Sequence, residues 1–197
     1  MSRDIKTAKD TKTAIMDAAQ ELIQRRGANA MSYQDISEAV GIRKASIHHH
    51  FPAKDDLIEA VVARYADHVF GLMDEIFDSK LDPAAKLRRY AALFETMLSD
   101  GRHDKGCPFA ILGAELSSLG GSTAARVRRF YRDSEERLAR VVEEGHGKGQ
   151  FHFKGEPKRV AAMFFALLEG GMLIARAEGG PRRLHALAEQ ALKLLQQ

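Results

Sequence analysis

The chain has no tryptophan, a single cysteine, five prolines and a net charge of only +3. One cysteine, Cys107, excludes an intramolecular disulfide and suits a reducing cytoplasm. With so few prolines, long stretches of backbone are free to be helical. The longest apolar stretch, residues 160–168, falls short of the roughly 20 residues that span a bilayer. The opening MSRDIKTAKD is polar and has no secretory apolar segment. A cytoplasmic protein that stays off the membrane is therefore expected. Strand signals are also missing. The triplet Phe151-His152-Phe153 alternates, but three residues do not make a strand.

Catalytic patterns are absent too. There is no glycine-rich phosphate loop and no H-E-x-x-H pair. Cys107 has no evident His/Asn set to activate it, and Glu135-Glu136 and Glu143-Glu144 suit solvated helix faces. Neither an enzyme nor a cofactor is expected.

Hydrophobic residues make up 45% of the chain, enough for a core, and Ala, Leu, Glu, Arg and Lys dominate. That composition favours helix. Helical spacing places Ile15, Ala18, Ala19, Leu22 and Ile23 on one face of a helix running from about Thr11 to Gly27, after a polar and frayed start. Two short helices follow. Ser32 is a candidate N-cap with Asp35 three residues on, Gly41 turns the chain, and Pro52 stops the second helix after His50. Further helices are predicted over about 55–78, 83–99, 108–118, 123–144, 158–177 and 182–195. The fold class is all-α, with a head of residues 1–54 and a body of residues 55–197.

Charge is divided unevenly between the two. Residues 1–54 hold nine Lys/Arg against six Asp/Glu, and residues 55–197 hold 21 of each, so the whole excess lies in the head. A basic head carrying two short helices and a tight turn suits a polyanion, and the layout is that of a helix-turn-helix. Candidate DNA-binding residues are Ser32, Tyr33 and Gln34 at the start of the first short helix, Arg43, Lys44, Ala45, Ser46, His48, His49 and His50 along the second, and Lys54 after it. Arg43 has the fork geometry that pairs with guanine. Three consecutive histidines point about 100° apart on a helix and cannot converge on one ion, so no metal site is expected. Arg3, Lys6, Lys9 and Lys12 recur every three residues and could form an arm along the DNA backbone.

The run Gly41-Ile42-Arg43-Lys44-Ala45-Ser46-Ile47-His48-His49-His50-Phe51-Pro52-Ala53-Lys54 resembles the signature of TetR-family transcriptional regulators, roughly G-V-S-K-G-T-L-Y-Y-H-F-x-x-K. The resemblance covers about residues 11–60. It implies a homodimer that represses an operator and lets go when a small molecule binds the body. It also assigns Lys44 and Ser46 to the recognition helix and Lys54 to a phosphate. Arg43, Ala45, His48 and His49 depart from the usual residues, so this operator does not follow from the family.

In the body, Leu184, Leu187, Ala188, Ala191, Leu192 and Leu195 make a wide apolar stripe, and Gly170-Gly171 lie beside Phe164, Phe165 and Met172. These last two helices are the candidate dimer interface. Candidate effector-binding residues are Tyr90, Phe94, Met97, Cys107, Phe109, Glu115, Phe130, Phe165, Glu169 and Met172. Cys107 begins a predicted helix near Lys105 and Arg102, an arrangement that would lower a thiol pKa, so a redox- or electrophile-sensing repressor is an alternative. A helical ligand-binding or scaffold protein without operator specificity is another.

Overall fold

The computed structural model describes residues 2–99 and 104–197, with side chains from residue 10 onward. Arg102 and the side chains of Arg3, Lys6 and Lys9 lie outside these. The described residues form α1 (Ser2–Arg26), α2 (Tyr33–Val40), α3 (Lys44–His50), α4 (Lys54–Phe77), α5 (Pro83–Met97), α6 (Pro108–Ala114), a 3₁₀ turn (Leu116–Ser118), α7 (Gly121–Gly147), α8 (Pro157–Ala177) and α9 (Arg182–Leu195). No strand occurs among them.

Three boundaries differ from expectation. The α1 helix begins at Ser2 rather than near Thr11, because no glycine or proline interrupts residues 2–26. The segment after Pro108 is not one helix to Ser118; it leaves the α form at Ala114 and tightens into the 3₁₀ turn. Helix α7 starts at Gly121 and runs to Gly147, although glycine occupies both ends.

The chain forms two compact units, and helices α4 and α7 contribute to both. The first gathers Met1–Ala66 and Pro108–Arg128, the second Asp67–Cys107 and Arg129–Gln197.

In the first unit, α1 packs on α2, α3 and α6. Its core includes Ile15, Ala19, Ile23, Ile36, Ile47, Phe51, Leu57 and Val61. Helix α2 starts in a capping box. The backbone N–H of Ser32 donates to Asp35 Oδ2 at 2.8 Å, and Asp35 N–H donates back to the Ser32 hydroxyl at 3.3 Å. Bonds from Ser32, with help from Arg26, hold the Asp35 carboxyl down to a pKa of about 2. Gly41 ends α2 with φ of 73°, in the left-handed region, and its N–H donates to Ser37 O. From the far end of α6, the Glu115 carboxylate accepts the N–H groups of Ala28, at 2.8 Å, and Asn29, at 3.3 Å. It occupies the space where a side chain on Gly27 would begin.

In the second unit, α8 packs on α5 and α9, and α5 also packs on α9. Leu87, Tyr90, Phe94, Leu138, Phe164, Leu168, Met172, Leu184 and Leu192 are buried there. The buried Lys86 ammonium meets Glu144 at 2.9 Å. By length and composition α8 is apolar enough to cross a membrane. It carries charges at Lys158, Arg159, Glu169 and Arg176, however, and buries one side against its neighbours, as a core helix does. His152 N–H donates to Leu195 O at 2.6 Å, which ties the segment after α7 to the end of α9 without forming a strand.

The Gly41 turn is directly testable. A Cβ at Gly41 would touch nothing, so Gly41→Ala isolates the conformational cost of a left-handed residue, about 1–2 kcal/mol. The melting temperature should fall by about 2–8 °C in a thermal scan. An unchanged value would mean that the turn does not need glycine.

Candidate functional site

Helix α3 is seven residues long and fixes its outward side chains by burying one residue. Ile47 is fully buried, and Phe51, which caps the helix, is 3% exposed. Around that anchor Arg43, Lys44, Ala45, His48 and His49 are exposed, and Ser46 and His50 are half-buried. Arg43 stands at the N-cap in extended backbone without a capping bond, so its guanidinium is carried at the leading end of α3. Sites of this shape present the helix N-terminus to base edges in a major groove.

The three histidines do different things. The His48 ring meets Tyr33 edge-on at 4.7 Å, and its Nδ1 is 3.4 Å from Pro52 O. The His49 and His50 rings lie 5.3 Å apart. Burial, then the neighbouring charges of His49 and Lys12, lower the His50 pKa below the usual histidine range. The Lys12 ammonium sits 5.4 Å over the Phe51 ring.

Ser32 and Tyr33 have structural work beside any contact with nucleic acid. Ser32 makes the capping box. The Tyr33 hydroxyl lies 2.8 Å from both Phe51 O and Ala53 O and has one proton to donate between them. Burial and the Asp56 charge push its pKa up to about 12, so it remains a donor. This bond fixes the α3–α4 turn, as does Ala53 N–H donating to Asp56 at 3.0 Å, and Lys54 follows directly. Neither carbonyl acceptor has a pattern in sequence, so this part of the site was not legible. Gln34 is exposed and bonds Glu38 along α2.

The effector candidates divide between the units. Phe109 and Glu115 belong to the first, where Phe109 packs with Tyr65 at 6.0 Å and Glu115 holds the α1–α2 loop. Tyr90, Phe94, Met97, Cys107, Phe130, Phe165, Glu169 and Met172 belong to the second. Tyr90 meets Phe94 edge-on at 5.4 Å, and Phe130 meets Phe165 at 6.5 Å. Cys107 and Met172 are buried, and Met97 is half-buried. Tyr131 was missed from sequence. It follows Phe130 on α7 and was not among the candidates, yet its ring lies 6.2 Å from Phe165.

Glu169 is the distinctive group. Both of its carboxylate oxygens are shut off from solvent, and among the described residues neither accepts a hydrogen bond of good geometry. Burial raises its pKa from 4.5 to about 7, while the Cys107 thiol draws it the other way. Burial, then the charges of Glu169 and Cys107, push the Tyr90 and Tyr131 hydroxyls well above the usual tyrosine range. These four side chains therefore share one interior neighbourhood of the second unit, built from α5, α7, α8 and Cys107.

The family model described as "Bacterial regulatory proteins, tetR family" matches residues 15–61, and the "Tetracyclin repressor-like, C-terminal domain" model matches residues 83–191. The chain is similar to the transcriptional regulator AcuR of Cereibacter sphaeroides, 26% identical over 174 residues, or 88% of this chain and 80% of that protein. It is 36% identical over 76 residues to the HTH-type transcriptional repressor KstR2 of Rhodococcus jostii, or 39% of this chain and 37% of that protein. A crystal structure of a TetR-family transcriptional regulator from Agrobacterium tumefaciens superposes with a TM-score of 0.91 at 34% identity, over 96% of this chain and all of that one.

The Glu169 carboxyl has a consequence for stability. Its folded pKa lies above the unfolded one, so the folded state holds a proton that the unfolded state loses first. Wild type should lose stability relative to Glu169→Gln as pH rises from about 4.5 through about 7, by about 3 kcal/mol in all, and the difference should level off above about pH 8. Urea unfolding across that range measures it, and parallel pH profiles would contradict it.

Proposed function

The chain belongs to the TetR family of bacterial regulatory proteins, and from that premise we propose that it is a repressor released from a palindromic operator by a small molecule bound in the body. The family is one of transcriptional regulators rather than enzymes; its members bind DNA operators and small effectors and act as dimers. In this chain residues 1–54 form the DNA-binding head and residues 55–197 the effector and dimerisation body.

The observation that carries the reading is the α3 surface. A short helix pinned by Ile47 and Phe51 turns Arg43, Lys44, His48 and His49 outward. Arg43 reads guanine, worth about 1–3 kcal/mol of discrimination. Lys44, Ser46 and Lys54 contact base edges or phosphate, and His48 and His49 lie along the backbone. Dimer symmetry sets two such helices about one helical turn apart, roughly 34 Å. Helices α8 and α9 supply the dimer contact. Met163, Leu173 and Ile174 on α8 and Leu194 on α9 are large exposed apolar residues, and Ala166, Gly170 and Ala177 extend the α8 stripe with little bulk.

Effector binding acts by favouring one spacing of the two heads over another. The chain passes between the units within α4, at the Cys107–Pro108 bond and within α7, and these three crossings transmit the change. Cys107 next to Glu169 keeps a thiol-sensing variant of this switch in view: in that case Cys107→Ser removes the response to an electrophile and leaves operator affinity intact.

Fluorescence anisotropy with the DNA upstream of its own gene tests the reading. Tight binding that exceeds scrambled DNA and weakens with salt is expected. Ile174→Glu should give a folded monomer whose operator affinity falls at least about tenfold, because each half-site then binds alone. Equal, weak binding to both DNAs would contradict operator recognition. An intact dimer in Ile174→Glu would move the interface elsewhere.

A further inference from the structure

We propose that the body binds a small organic amine, its ammonium group held by the Glu169 carboxylate beside Tyr90 and Tyr131. This rests on the reading that the second unit holds the effector, and it names the chemical class.

The inference begins from a cost. A carboxyl shut off from water is unfavourable when it gains only the weak Cys107 thiol in return, with no hydrogen bond of good geometry to either oxygen. Glu169 sits in mid-α8, where an apolar residue would serve packing better. The side chains that share its neighbourhood are Tyr90 from α5, Tyr131 from α7 and Cys107, the last residue of the Asp67–Cys107 stretch of the second unit. None of them brings a positive charge, and among the described residues no lysine or arginine acts on the Glu169 carboxyl. An anionic ligand would therefore meet a carboxylate with no counter-charge among the described residues.

A ligand that satisfies the site must supply N–H donors and a positive charge. A primary or secondary ammonium does both, through short charge-assisted bonds to the two oxygens. The surroundings agree. Tyr90 packs on Phe94, and Tyr131 and Phe130 pack on Phe165, so ring faces are at hand; such faces attract cations and disfavour anions. They also suit an apolar or aromatic body on the amine.

Binding an ammonium requires Glu169 ionised, and near neutral pH the empty site is partly protonated. The amine therefore displaces a proton. Tyr90 and Tyr131 stay protonated throughout this range, so they do not mask that exchange.

The test is calorimetric titration of the full-length protein, without DNA, using phenethylamine and the similarly shaped anion 3-phenylpropionate. Phenethylamine should bind, should release a proton, and should bind about tenfold tighter near pH 8 than near pH 6. The anion should not bind. Glu169→Gln, checked for an intact helical spectrum, should lose at least about tenfold in affinity together with the pH dependence. The wild-type pH profile decides the matter even if that variant does not fold. No saturable amine binding at millimolar concentration, equal binding of the anion, or pH-independent binding would overturn the proposal. Amine binding that leaves operator affinity unchanged would keep the site and overturn the release reading instead.

Discussion

One carboxylate ties the segment that follows α6 to the loop between α1 and α2. Glu115 lies after α6, far in sequence from the helix-turn-helix, yet it holds the N–H groups of Ala28 and Asn29 in the loop between α1 and α2. Bonds from backbone N–H to an ionised acceptor are stronger than neutral ones. Ser118 adds a further link by donating its hydroxyl to Asn29 Oδ1 at 2.9 Å. Gly27 makes the arrangement possible. Its φ is 86°, and any side chain there would collide with the carboxylate. Arg126 and Ser122 at the start of α7 hold Glu59 on α4 and extend the grip. The stretch Pro108–Arg128 thus belongs with the DNA-reading helices, while Cys107, one residue earlier, belongs with the other unit.

The reading surface depends on a similar economy. A helix of seven residues has too few contacts to fix itself, so its position is borrowed. Ile47 and Phe51 bury its inner side, Gly41 sets its entry, and Tyr33 with Asp56 sets its exit. The exposed Arg43, Lys44, Ala45, His48 and His49 are then available to a partner. In the second unit Glu169 inverts this logic: its carboxyl is shut off from solvent with, among the described residues, only the Cys107 thiol acting on it, and the amine is its proposed partner.

Much of this was visible in sequence because short-range rules decide it. The Ser32 cap, the Gly41 turn, the stop at Pro52 and the buried Ile47 all follow from residue type and spacing within a few positions. The all-α class and the α9 limits, Arg182–Leu195, came from periodicity in the same way. What stayed hidden depends on distance along the chain. Glu115 looks like any acid beside an apolar stretch, and only the fold brings it to Ala28, 87 residues away. Tyr131 was hidden for another reason: two adjacent aromatics on a helix differ by about 100°, and periodicity admits only one to the core, whereas the width of this interior takes both. The early start of α1 reflects helix propensity acting without any apolar signal.

Hydrogen–deuterium exchange on wild type and Glu115→Ala tests most directly whether the Glu115 contact joins α6 to the DNA-reading helices. Loss of the contact should speed exchange at Ala28 and Asn29 and, together with them, along α6 and α2, while α8 and α9 keep their protection. Faster exchange confined to Ala28 and Asn29 would show that the contact is only a local cap and would contradict the account.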